Sequence, residues 1–232
     1  MKRRARLALL TAFALLGAGA PQAQLDSAYV LQRYAIALQH VASPAVVVYS
    51  YTVSQVGPSN IEQRHRIYRS GASVRDETLA VNGIALRHKV VRFSQREERY
   101  TVGRFAPSPA AYELLFLGTS NDGHHLDYVY EATPLSHTAN VWIDRLTIDG
   151  VKFLPRAVRF HSTGTGVAGN GEIEFGGFGK FWLPLTAGAS AFVGRKLARE
   201  RIVWAEYRFP ESLPPSTFQT PKPLPRPTLP AF

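Results

Sequence analysis

The sequence predicts a mainly antiparallel β protein with a minor helical part, class α+β, and three observations carry that expectation. After one helical stretch near the N-terminus, apolar residues recur with period two rather than 3.6 for most of the chain. Asn82-Gly83, Asn121-Asp122-Gly123 and Asp149-Gly150 have the chemistry of hairpin turns and punctuate the alternating stretches. The run Val46 to Val53 is apolar or aromatic at nearly every position, so both its faces must be covered. A single sheet meets that demand by curling around helices or by enclosing a cavity.

The chain opens with four positive charges between Met1 and Arg6, an apolar stretch from Leu7 to Ala20 and small residues up to Ala23. This is the layout of a secretory signal peptide. The apolar stretch is shorter than the roughly 20 residues a spanning helix needs, and no second long one follows. Residues 1–23 are therefore expected to be removed, leaving a soluble periplasmic protein.

From Leu25 to Val41, Leu31, Tyr34, Ala35, Leu38 and Val41 fall at helical spacing behind Asp26, a good N-cap, and Pro44 closes the helix. Ala45 to Val56, rich in Val, Tyr and Thr, reads as the first strand. Further strands are expected at Ile61–Ser70, Ser73–Val81, Arg87–Ser94, Arg99–Phe105, His125–Ala132, Asn140–Ile148, Phe153–Ser162, Glu172–Phe175 and Arg199–Phe209. One interruption is expected: Ser108-Pro109, the apolar text AAYELLFL and Gly118 have the cap, first-turn proline and terminating glycine of a short buried helix. Eight of the last 23 residues are proline, so residues 219–232 read as an extended or disordered tail behind a single domain, 24–218.

Removing residues 1–23 from 232 leaves 209, enough for one domain burying roughly 70–75% of its unfolded surface. Losing Lys2, Arg3, Arg4 and Arg6 lowers the net charge from +10 to +6. Cysteine is absent, which excludes disulfides, thiolate metal sites, a cysteine nucleophile and the lipidated cysteine of a lipoprotein. Nine arginines lie between Arg64 and Arg104 against five acids from Glu62 to Glu98. That excess makes a basic surface suited to anionic headgroups or an acidic envelope protein rather than nucleic acid, or else a solvated outer strand face.

No catalytic residues, metal ligands or cofactor are assigned. Gly164-Thr-Gly166-Val-Ala-Gly169 matches the dinucleotide fingerprint as a string, but a strand follows where the mechanism needs a helix N-terminus. His124-His125 would point to opposite sheet faces, a poor chelate. Asp144, Asp149, Glu172 and Glu174 read as a solvent face, with paired catalytic carboxylates as the alternative.

The order of elements and several stretches of text resemble the LolA/RseB-like periplasmic lipoprotein-carrier superfamily. RYAIALQHVASPAVVVYSYTV is similar to that family's first helix running into strand one, and HRIYRSGASVRDETLAVNG to its paired strands with an Asn/Asp-Gly turn. DYVYEATPL, VWIDRLTIDGVKFLPRAVRF and VWAEYRFPESLPPSTF resemble the later hairpins, closing strand and loop. The resemblance covers most of residues 26–218 and implies a strongly curved sheet, an unclosed β-barrel, with helices covering its concave face. It implies a non-catalytic carrier or sensor for acyl chains or lipoproteins in outer-membrane biogenesis. Cavity candidates are Val47, Tyr49, Tyr51, Leu114, Leu115 and Phe116, and Arg69 is the nearest match to the family's gating arginine, with headgroup contact as a further role. Ser70 and Gly71 stand where that family has proline. The alternatives are a ligand-free interaction or regulatory module and an envelope hydrolase.

Overall fold

The computed structural model describes residues 25–95, 100–121, 126–136, 140–164, 167–193 and 195–219. Residues 1–24, which include the expected signal peptide, the proline-rich residues beyond Gln219 and the His124-His125 pair lie outside the described residues.

Helix α1 spans Ser27–His40, and its Asp26 cap accepts from the backbone N–H of Ala28 at 2.7 Å and Tyr29 at 3.3 Å. Val30 and Tyr34, four apart and so on one face, are its fully buried residues, while Leu31, Leu38 and Val41 pack partly buried beside them. Three bonds fix where that face sits. The Tyr34 hydroxyl donates to the Pro107 carbonyl at 3.0 Å, the Tyr130 hydroxyl to the Ser27 carbonyl at 3.0 Å, and the Leu25 N–H to the Tyr128 hydroxyl at 2.8 Å. Burial without a charge-stabilising partner raises the Tyr34 hydroxyl far above its usual range.

The strands are β1 (Val46–Val56), β2 (Ile61–Ser70), β3 (Ser73–Val81), β4 (Ile84–Gln95), β5 (Tyr112–Asn121), β6 (Leu126–Pro134), β7 (Val141–Asp149), β8 (Pro155–Gly164), β9 (Val167–Phe178), β10 (Phe181–Val193) and β11 (Lys196–Arg208). They form one unclosed antiparallel sheet in the order β4-β3-β2-β1-β11-β10-β9-β8-β7-β6-β5. Every neighbour is consecutive in sequence except β1 and β11, which join two meanders down the middle of the sheet. Asn82 and Gly83 both have positive φ, +49° and +76°, as a primed two-residue hairpin requires. At Gly150 a Cβ would lie 1.9 Å from the Leu126 carbonyl oxygen, so only glycine fits beneath β6.

Three expectations are corrected. The apolar text at residues 112–117 is the edge strand β5, not a helix. Ser108 accepts from the N–H groups of Ala111 and Tyr112 as a turn into the strand, and Gly118 sits where the register shifts against β6. Tyr112, Leu114 and Phe116 are partly buried and Glu113, Leu115 and Leu117 exposed, a period of two that four consecutive apolar residues conceal. Instead of a strand from Arg99 to Phe105, Val102–Phe105 is a single helical turn, α2, whose ends Val102 and Phe105, three apart, both meet the core. The expected short strand at Glu172–Phe175 extends to Val167–Phe178 and pairs with β10, which carries no assignment in the sequence reading. Gly176, Gly177, Pro184 and Gly188 disguise this hairpin, yet Pro184 lies at a register shift, where its missing N–H is tolerated.

One face of the sheet carries the core: Val47, Tyr49, Ile67, Val74, Tyr128, Tyr130, Leu146, Ile148, Val158, Ile173, Phe175, Ile202 and Trp204 with Val30 and Tyr34 of α1. The opposite face is polar and ion-paired. Glu206, at a φ of +59° beside a shift in the β1–β11 register, accepts from Ser50 and pairs with Arg64 and Arg66. Arg75 stacks on Tyr68 and Phe93, pairs with Glu77 at 2.6 Å, and donates to the Thr217 carbonyl, which holds the 3-10 turn Pro215–Phe218 against β3.

Candidate functional site

A cavity of about 650 Å³ opens between the segment 41–44 that links α1 to β1, the turn α2, and strands β1, β2, β10 and β11. Its size is typical of small-molecule sites. The β1–β2 register sets Val47 beside Arg69 and Tyr49 beside Ile67, and of these Val47, Tyr49 and Arg69 line the space. Trp182 and Leu183 of β10, Trp204 and Tyr207 of β11, and Tyr100 and Val102 around α2 complete the apolar walls.

The walls are fixed by bonds that tie down their polar ends. Trp182 Nε1 donates to the Pro155 carbonyl at 2.8 Å, and the Tyr207 hydroxyl to the Pro184 carbonyl at 2.9 Å. Ring contacts then lock neighbour to neighbour: Tyr100 to Trp204 at 5.1 Å edge-on and Tyr49 to Tyr207 at 5.3 Å. With their polar tips held elsewhere, these side chains offer the space their hydrocarbon surface. Two cations also line it, Arg69, buried, and Arg104, exposed, and among the described residues no carboxylate does.

Of the residues proposed from sequence, Val47, Tyr49 and Arg69 line this cavity; Tyr51, Leu114, Leu115 and Phe116 do not. Tyr51 stacks on His65 with ring centroids 4.7 Å apart. Phe116 packs on Tyr130 and Tyr128 near the far edge of the sheet, Leu114 is partly buried against the same core, and Leu115 is 61% exposed. Placing Leu115 in the cavity is therefore corrected: alternation along an edge strand turns it outward. The sequence reading misses Tyr100, Trp182, Trp204 and Tyr207. Two of the three tryptophans were the available signal, because a large ring with a polar tip lines interfaces and pockets more readily than a close-packed core.

Other polar clusters are self-contained. His65 Nδ1 lies 2.8 Å from Asp76, to which Tyr51 also donates. Arg159 makes a two-pronged bond to Asp144, and His161 lies 2.9 Å from the same carboxylate. Burial would raise the Asp144 carboxyl, but the bonds and charges of Arg159 and His161 outweigh it and hold it below the usual range. No group of three or more His, Asp or Glu among the described residues could hold a metal ion. Gly164 and Val167 pair directly across the β8–β9 hairpin, so no helix starts from the glycine-rich loop. No helix among the described residues is long and apolar enough to cross a membrane.

No family model matches the chain, and no curated protein matches it. Solved structures do. The fold is similar to a LolA superfamily protein from Nitrosomonas europaea at 11% identity, covering 85% of this chain and 99% of that one with a TM-score of 0.43. It is also similar to a DUF1329 family protein from Desulfovibrio piger at 11% identity, over 83% and 96% of the two chains and a TM-score of 0.46. A putative outer membrane lipoprotein-sorting protein domain from Vibrio parahaemolyticus has 12% identity, 81% and 95% coverage and a TM-score of 0.44.

Proposed function

We propose that the protein is a non-catalytic periplasmic carrier or sensor that holds an acyl chain, free or on a lipoprotein, in the cavity between α2 and the β1–β11 seam. The observation that carries this reading is the cavity itself: about 650 Å³ walled by Val47, Tyr49, Trp182 and Trp204. Apolar walls around unfilled space favour a hydrocarbon guest, each buried methylene contributing about 0.8 kcal/mol. In this reading residues 1–23 direct export, residues 24–218 form the carrier domain, α1 and α2 cover the concave side of the curved sheet, and Arg69 acts at the cavity as gate or headgroup contact. Mass spectrometry of an organic extract of the periplasmic protein is expected to find an acyl species at near-stoichiometric amount. An extract free of lipid, together with failure to take up a fluorescent acyl probe, would overturn the reading.

One observation favours a second reading, an interaction module of the envelope. The edge strand β4 leaves Ile84, Val90 and Phe93 exposed at 71%, 49% and 37% beside Arg87 and Arg92. Unpaired edges of this kind accept a partner strand. In that case the protein recovered from the periplasm carries a bound polypeptide and no lipid.

A further inference from the structure

We infer that the free edge of β4 binds an extended polypeptide whose residues alternate acidic and apolar, added to the sheet as one more strand along Val90–Gln95. The inference builds on the edge-pairing reading above and does not require the cavity to hold lipid. Among the described residues β4 has β3 on one side and no strand on the other. Four residues, 86–89, stand opposite Leu79 alone where the register shifts, but Val90 to Gln95 pair without interruption with Thr78 to Ser73. That regular stretch leaves a row of backbone N–H and C=O groups facing outward in strand geometry.

Charge selects the occupant. β4 carries Arg87, Lys89 and Arg92 and no acid. The acids of the neighbouring strand point to partners inside the sheet: Glu77, 2% exposed, is held by Arg75 and Lys89, and Asp76 lies 2.8 Å from His65. Arg87 and Arg92 are exposed. The edge is therefore cationic, which attracts an acidic strand and repels a second β4 edge, where Arg92 would meet its own kind.

The register gives the pattern. Ser94 lies opposite the buried Val74 and Arg92 opposite Asp76, so Val90, Arg92 and Ser94 share the core side of the sheet. Val91 and Phe93 take the other side, where Arg75 stacks on Phe93 with 6.0 Å to the ring centroid. A strand laid beside β4 thus meets a cation on one face and an apolar surface on the other, and the best match alternates acid with apolar residues. The edge also runs to the cavity, because Gln95 pairs with Ser73, next to Gly71 and Ala72 in the cavity wall. A polypeptide seated there ends beside the space that the acyl reading fills.

The test uses a fluorescein-labelled ten-residue peptide alternating glutamate with valine or threonine, and a copy with lysine for glutamate. Anisotropy titration of the full chain should show binding of the acidic peptide at least about tenfold tighter than the lysine peptide. Arg92→Glu, a change on an exposed side chain, should abolish that preference. On the wild-type protein, hydrogen exchange should slow in the amides of residues 90–95 when the acidic peptide is added. Of two acidic peptides N-methylated at alternate positions, only the one whose methyl groups face β4 should lose binding. No binding of the acidic peptide at about 1 mM, equal binding of the two charge forms, an equal effect of the two methylation patterns, or protection confined to other strands each overturns the inference. Oligomers that protect residues 90–95 without peptide would make a second copy the occupant and overturn it as well. A non-acidic polypeptide recovered on β4 from the periplasm would keep the interaction-module reading and overturn this one, and acyl-probe uptake, measured separately, decides the cavity reading alone.

Discussion

Two ends of the same sheet face are built from the same kinds of side chain and packed to different densities. Where α1 lodges Val30 and Tyr34 against β6 to β9, Tyr34, Tyr130, Leu146, Ile148, Val158 and Ile173 are all 0% exposed. Near the β1–β11 seam, Tyr49, Trp182 and Trp204 keep 7%, 8% and 6% of their surface, and a cavity remains between them. The difference lies in what stands opposite the sheet. A four-turn helix presents long side chains that interdigitate to interior density. The linker 41–44 and the single turn α2 present Ala42, Ser43, Pro44 and Gly103, which are too small to fill the same depth. Space at one end of this protein thus follows from small residues on short elements, while the rings around it are held apart by their own hydrogen bonds and edge contacts.

The sharpest way to break the comparison is in the filled end. Tyr34→Ala removes a fully buried ring and its bond to the Pro107 carbonyl, and is expected to cost about 3–5 kcal/mol in urea unfolding. A loss under about 1 kcal/mol would mean that the two ends are packed alike. In the hollow end the effect should fall on binding instead. A Cβ at Gly103 meets nothing within 4 Å, so Gly103→Trp places an indole at the cavity with stability changed by no more than about 0.5 kcal/mol. Acyl-probe affinity should drop by about tenfold or more. The control is Leu115→Arg on the exposed side of β5, which is expected to change neither quantity.

The smallest effect concerns the outer ion pairs. Asp144→Asn removes a partly exposed carboxylate held by Arg159 and His161 and should cost about 0.5–1 kcal/mol near neutral pH. Because the folded-state pKa of Asp144 is depressed, its contribution is complete above the unfolded carboxylate range. It fades as pH falls through that range toward the folded value. Wild type and variant should therefore converge in acid, and a gap that widened in acid would reverse the assignment.

Much of this architecture is legible in the residues. Period two gives most strands, Asp26 and Pro44 bracket α1, and Asn82-Gly83 fixes a hairpin. Misreadings arise where local signals compete. Four consecutive apolar residues at 114–117 carry no readable period, and the proline and glycines of β9 and β10 resemble loop text, although the glycines pair in register and only Pro184 sits at a register shift. The cavity is legible only by half. Val47 and Tyr49 are singled out by the doubly apolar first strand and Arg69 by the family resemblance, and all three line the cavity, while Tyr51, chosen with the first two, does not. Trp204 comes beside Tyr51 because β1 pairs with β11, a contact between residues 153 positions apart that no local pattern encodes.

The claim that the hollow end binds the ligand is tested most directly by photo-crosslinking. A diazirine-bearing fatty acid is bound to the protein, activated by light, and the labelled peptides are sequenced by mass spectrometry. Label on the peptides carrying Tyr49, Trp182 and Trp204, suppressed by Gly103→Trp, is the result this account predicts. Label concentrated on the edge strands around Leu115 or Phe93, or unaffected by Gly103→Trp, would contradict it.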